Sequence, residues 1–111
     1  MSWLFTRHRV TQVDPAEADR RRRNKTTIVV DVREAHELRD GSIPGSRHIP
    51  LGRLRAHVDE LLAAPEVIFV CRSGNRSAAA TAVLTKAGHP NAHNMVGGMI
   101  AWKRRGLPLA R

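Results

Sequence analysis

The stretch Val67-Ile68-Phe69-Val70-Cys71-Arg72-Ser73-Gly74-Asn75-Arg76-Ser77-Ala78-Ala79-Ala80 decides the fold. With Glu66 before it, its apolar opening reads as a strand buried on both faces. Arg72 to Arg76 is polar and basic, and Gly74 supplies the φ freedom of a tight curl. Ser77 to Ala87 is alanine-rich and predicts a helix, closed by Gly88. A buried strand, a short loop and a helix in that order form half of a parallel crossover unit. Ligands of such sheets bind beyond the carboxyl ends of the strands, and Cys71 stands at one.

Outward from this stretch the same alternation continues. Ile28 to Val32 is a second buried-type strand, and Val10 to Val13 and Asn91 to Val96 are shorter candidates. Asp14 offers an N-cap oxygen and Pro15 suits a first helical position, so Ala16 to Arg23 predicts a helix. Arg33 to Arg39 reads as a short helix closed by Asp40-Gly41. Ile43-Pro44-Gly45 is turn chemistry, and Arg47 to Pro50 leaves room for a short extended piece. Leu51, Leu54, Val58, Leu61 and Leu62 recur at three- and four-residue spacing, which predicts one helix from Leu51 to Ala63, stopped by Pro65. Gly97-Gly98 turns into a final helix ending near Gly106 and Pro108. The expected architecture is α/β, a central mainly parallel β-sheet flanked by helices on both faces.

A chain of 111 residues, 41% hydrophobic, fits one domain with a modest core. A single cysteine excludes an internal disulfide and any cysteine-rich metal cluster. No apolar run approaches the roughly 18 residues of a membrane span, so no membrane association is expected. Met1 to Val10 has no signal-peptide pattern, which makes the cytoplasm the expected compartment.

The formal charge of +9 is unevenly spread: +4 over residues 1–25, −1 over 26–65 and +6 over 66–111. No acid follows Glu66. Nucleic-acid binding is a poor match, because Trp3, Phe5, Phe69 and Trp102 are the only aromatics available for stacking. The Arg20 to Arg23 run reads as a solvated helix face.

The loop after Cys71 carries the chemistry. Backbone N–H groups of such a curl converge into one concavity, and the free amides of the following helix turn add positive potential. Arg72 and Arg76 flank the curl. Each of these features favours a thiolate, and the same field holds an anionic sulfur substrate. A lone cysteine is often a small core residue. The polar Arg72-Ser73-Gly74-Asn75-Arg76 that follows takes the chain out of the core and favours a reactive Cys71.

The chain resembles single-domain rhodanese-like (thiosulfate sulfurtransferase) proteins from about Val10 to Leu109, which leaves residues 1–9 as an N-terminal extension to a 10–111 domain. Four blocks in order carry the resemblance: Asp31-Val32-Arg33-Glu34, Gly41 to Pro50, Cys71 to Arg76, and Gly97-Gly98-Met99-Ile100-Ala101-Trp102. Ser42 departs from the family's usual His. The resemblance implies a sulfurtransferase that takes sulfane sulfur from thiosulfate or a similar donor onto Cys71 as a persulfide and passes it to a thiol or cyanide. The implied substrate-binding residues are Arg72, Ser73, Gly74, Asn75, Arg76 and Ser77, with Arg76 helping donor binding and loop shape. No cofactor or metal is implied. A protein sulfur acceptor is a further implied partner, and the alternative function is a persulfide carrier module with weak thiosulfate activity. Similar cysteine phosphatases place five residues between Cys and Arg; here four separate Cys71 from Arg76, and Val70 stands where many have His.

Asp31 and Arg33 read as a structural ion pair rather than catalytic groups. The six histidines, His8, His36, His48, His57, His89 and His93, form no ligand pair on a helix. His48 reads as structural, and Trp102, Met95 and Met99 as core.

Overall fold

The computed structural model describes residues 10–111; the proposed N-terminal extension, with Trp3, Leu4 and Phe5, lies outside the described residues. Its strands are β1 (Thr11–Val13), β2 (Thr27–Asp31), β3 (Arg47–His48), β4 (Glu66–Val70) and β5 (Ala92–Met95). They form one sheet in the order β1-β5-β4-β2-β3. Every pairing between them is parallel, so the mainly parallel expectation sharpens to a wholly parallel sheet. The α-helices are α1 (Pro15–Arg22), α2 (Val58–Leu62), α3 (Asn75–Lys86) and α4 (Gly98–Arg104).

The two-residue period of the strands sorts their side chains onto two cores. Val30, Val67, Phe69 and Cys71 face Leu54 and Leu61 with Ala80 and Leu84 of α3. Val29, Ile68, Val70 and Met95 face Ala18 of α1 and Met99 and Trp102 of α4. Helices therefore cover both faces, and β4 is buried on each side, which is why its sequence is unbroken apolar. Trp102 is fully buried and its indole N–H donates to Pro108 O at 2.8 Å, in keeping with its reading as a core anchor.

Three local expectations are corrected. The segment Leu51–Ala63 is not one α-helix: Leu51–His57 is a 3-10 helix, and only Val58–Leu62 is α. Leu51 and Leu54 lie three apart, the repeat of a 3-10 turn, and Gly52 weakens any α-helical start. The helix expected from Arg33 is a 3-10 helix at Ala35–Asp40, leaving Arg33 before it. The third correction matters most. Helix α3 starts at Asn75 rather than Ser77, with Gly74 as its left-handed N-cap (φ 108°), so Asn75, Arg76 and Ser77 belong to its first turn.

The Arg20 to Arg23 run is extensively ion-paired. Glu17 takes Arg20 and Arg21, Asp19 takes Arg22 and Arg23, and Glu66 takes a second bond from Arg21. Three carboxylates thus neutralise much of a patch that looked conspicuous in the sequence. Among the described residues no helix is long and apolar enough to cross a membrane.

Candidate active site

Strand β4 is the middle strand of five, and the chain leaves it toward β5 while β2 leads the other way to β3. The carboxyl ends of β2 and β4 are therefore a topological switch point, the place where a parallel sheet opens a crevice. Cys71 emerges there.

Its sulfur is not out in the crevice. Cys71 is 1% exposed, in contact with the core on the α3 side, and its Sγ points into the curl that follows. The Gly74 N–H faces Sγ at 3.1 Å and the Ser77 hydroxyl donates to it at 3.3 Å. Burial pushes the thiol pKa up; the Ser77 hydroxyl and the amides of Ser77, Gly74 and Ser73 together outweigh it, and the net shift is downward from 9.0. The expectation that every surrounding feature favours the thiolate is corrected on one point, since burial opposes it. The donors prevail together, because each hydrogen bond to the sulfur favours its anionic form and several of them exceed the cost of desolvating it.

The expected loop residues divide by role. Ser77 and Gly74 are buried against the sulfur, whereas Arg72, Ser73 and Asn75 are exposed at the rim. Arg76 turns away to Glu37: its two terminal nitrogens bind the two carboxylate oxygens at 2.7 and 2.8 Å. This fork holds Glu37 down at a pKa of about 2, with the Arg76 hydrogen bond as the largest cause, and raises that of Arg76.

Glu37 is held in turn. Arg33 and Asp31 form a buried pair, with Arg33 Nη2 and Nε at 2.8 and 3.0 Å from the carboxylate. Nη1 and Nη2 also reach Glu37 O and Gly41 O, both at 3.0 Å. Each nitrogen of this buried cation thereby has an acceptor, which bears out its structural reading. His48 Nε2 donates to Arg33 O at 2.7 Å and is likewise a structural contact. Ser42, where the family resemblance leads one to expect His, exchanges backbone hydrogen bonds with Ala110 at 2.9 and 2.8 Å, pinning the C-terminal segment beside Gly41.

Two elements of the site escaped the sequence reading. Glu37 lay among several acids, with nothing to single out its partner. The start of α4 is the other: Met99 N–H donates to Cys71 O at 2.9 Å and Ile100 N–H to Arg72 O at 3.1 Å. These bonds need close backbone approach at Gly98 (φ 58°), where a Cβ would stand 2.4 Å from Arg72 O. The Gly97-Gly98 pair was the available signal.

Beside the loop a cavity of about 580 Å³ opens between the Ala35–Asp40 helix and α4, with Glu37, Arg72, Met99, Ile100, Lys103 and Arg104 in its lining. Arg72, Lys103 and Arg104 are exposed there. Among the described residues they make no salt bridge. The crevice mouth therefore carries three uncommitted cations.

A family model described as the rhodanese-like domain matches residues 14–105. A sulfurtransferase from Allochromatium vinosum is 37% identical over 82 residues, covering 74% of this chain and 77% of that protein. A rhodanese-related protein from Thermoplasma volcanium aligns with a TM-score of 0.80 at 34% identity, covering 90% of this chain and 97% of that one. A Rhodopseudomonas palustris protein of unknown function, described as a possible tyrosine phosphatase, aligns with a TM-score of 0.84 at 27% identity, covering 91% and 85%. With the family model spanning most of the chain and a sulfurtransferase relative at this identity, the chain belongs to the rhodanese family of sulfurtransferases.

Proposed function

We propose that the protein transfers sulfane sulfur from thiosulfate, or a similar anionic donor, to a nucleophilic acceptor through a persulfide on Cys71. The observation that carries this reading is the cradle around Sγ, where one hydroxyl and the loop amides meet a single sulfur at a strand end. The Cys71 thiolate attacks the outer sulfur of thiosulfate; the S–S bond of the donor breaks and sulfite leaves with the electron pair. The terminal sulfur of the resulting persulfide is an anion and accepts from the amides of Arg72 to Ser77. A thiol or cyanide then attacks that terminal sulfur, the new S–S bond breaks, and the Cys71 thiolate returns. Such double displacement predicts ping-pong kinetics. The carrier reading shares every step but the identity of the acceptor, which would then be a thiol of a partner protein.

Arg72 with Lys103 and Arg104 supplies the positive potential that draws the donor in, and Arg76 shapes the loop from its anchor on Glu37. Phosphate hydrolysis is disfavoured by the short Cys71–Arg76 spacing and by the commitment of both Arg76 terminal nitrogens to Glu37. Thiocyanate formation from thiosulfate and cyanide tests the reading. Wild-type protein is expected to turn over and Cys71→Ser to be inactive; equal turnover by the two overturns it.

A further inference from the structure

We infer that Asn94, in the core of β5, is a positioning residue for the nucleophile, its side-chain amide fixing the Gly74 hinge whose N–H faces Cys71 Sγ. The inference rests on Cys71 being the reacting residue and extends that reading to a part of the sheet no other step uses.

Asn94 is 3% exposed and pairs in register with Phe69 on one side and Gln12 on the other. A strand interior buried on both faces is an unfavourable place for a primary amide unless its polar atoms are satisfied. Here they are only half satisfied. Nδ2 uses both of its hydrogens, donating to Gly74 O at 3.2 Å and to Gln12 Oε1 at 3.0 Å. Among the described residues Oδ1 is buried with no partner. Turning the amide over would set Oδ1 against the Gly74 carbonyl, two acceptors face to face, so the orientation is fixed by the loop. An apolar side chain would avoid the orphan oxygen, whose desolvation is left uncompensated. The residue therefore gives up local stability and keeps a donor aimed at one loop carbonyl.

That carbonyl is the one that matters for the sulfur. Gly74 holds a left-handed conformation, and lacking a Cβ it is the most freely rotating residue of the curl. Its N–H faces Sγ, while its C=O accepts from the Ala78 N–H at 3.1 Å and from Asn94. With the carbonyl side of Gly74 clamped, its φ and ψ are fixed and so is the aim of the N–H. Gln12, on the edge strand, steadies the amide from the far side.

The test reads the thiol and uses no sulfur donor. Cys71 is the only cysteine, so the pH midpoint of its alkylation by iodoacetamide reports its ionisation directly. Asn94→Ala is expected to raise that midpoint by about 0.5–1 pH unit through loss of organised donors. Asn94→Leu, of nearly the same shape and uncharged, is expected to raise it by a similar amount, since it cannot donate to Gly74 O. If Asn94→Ala does not fold, the isosteric Leu variant decides. Gln12→Ala, at an exposed position, is expected to give a smaller rise. His89→Ala removes a buried hydrogen bond to Ala64 O at the opposite end of the sheet, and is expected to lower Tm with the midpoint unchanged. A wild-type midpoint in the Asn94 variants, with only Tm reduced, overturns the inference and leaves Asn94 a packing residue. A shifted midpoint in variants of a protein that transfers no sulfur would uphold the positioning and sink the proposed function instead.

Discussion

The Arg76 guanidinium lies across the Glu37 carboxylate as a two-pronged bridge, at 2.7 and 2.8 Å, and joins the first turn of α3, beside the Cys71 curl, to the 3-10 helix that follows β2. Two crossover connections that diverge to opposite sides of the sheet are thereby tied at its carboxyl edge. Because Glu37 O also accepts from the buried Arg33, the tie runs on to Asp31 at the end of β2. The loop that cradles the sulfur is thus braced from one side by a chain of charges and from the other by the start of α4.

The strength of that tie depends on pH. The Glu37 carboxyl falls from an ordinary 4.5 to about 2 in the folded protein, so its contribution to stability is complete above 4.5 and is lost as the pH falls toward 2. Urea titrations are expected to find Glu37→Gln less stable than wild type at neutral pH, with the gap closing as the solution is acidified below 4.5. A gap that stays constant down to pH 2 would contradict the assigned role.

Ser77→Ala removes the hydroxyl donor to Sγ but leaves the backbone amide in place and keeps the Thr81 hydroxyl bond to Ser77 O. A hydrogen bond to an anion contributes about 1.5–3 kcal/mol, so kcat/KM for thiosulfate is expected to fall by about tenfold or more. The alkylation midpoint of Cys71 is expected to rise in the same variant, because the donor lost is one that lowers the thiol pKa. Unchanged values of both would show that the amides alone stabilise the sulfur.

Gly98→Ala is expected to be among the most damaging single-methyl additions. The new Cβ would lie within 2.4 Å of Arg72 O and 2.5 Å of Cys71 O, both rigid backbone atoms, at a residue with φ of 58°. Steric conflict and backbone strain together are expected to cost about 2–4 kcal/mol in a denaturant melt and to impair Cys71 alkylation. By contrast Gly52→Ala, where a Cβ meets nothing within 4 Å, is expected to melt like wild type.

The cations at the cavity predict a dependence on salt. Replacing Lys103 and Arg104 together by Ala is expected to raise KM for thiosulfate by about three- to tenfold with kcat little changed, and to flatten the fall of kcat/KM with ionic strength. Loss of kcat instead would place these residues in the chemistry rather than in donor capture.

Much of this arrangement was legible in the chain, and the exceptions have physical reasons. Strands β2 and β4 showed because burial leaves the apolar runs Ile28-Val29-Val30 and Val67-Ile68-Phe69-Val70. Cys71 showed because polarity changes abruptly after it. The start of α3 was placed two residues late, since Asn75 is a poor helix former and Arg76 read with the basic loop, whereas the left-handed Gly74 cap brings both into the first turn. Glu37 and Asn94 were invisible because each acts on a residue 39 or 20 positions away, a relation set only by the packing of the sheet. The basic run Arg20 to Arg23 read as a solvated helix face and lies at the end of a helix; its partners Glu17 and Asp19 are adjacent, but Glu66 joins only through the fold.

The most direct test of the whole account is the intact mass of the protein after exposure to thiosulfate and removal of excess donor. The account predicts a gain of one sulfur atom in wild type, lost on addition of cyanide with release of thiocyanate, and no gain in Cys71→Ser. A wild-type mass that stays unmodified, or a Cys71→Ser protein that gains the same sulfur, would contradict it.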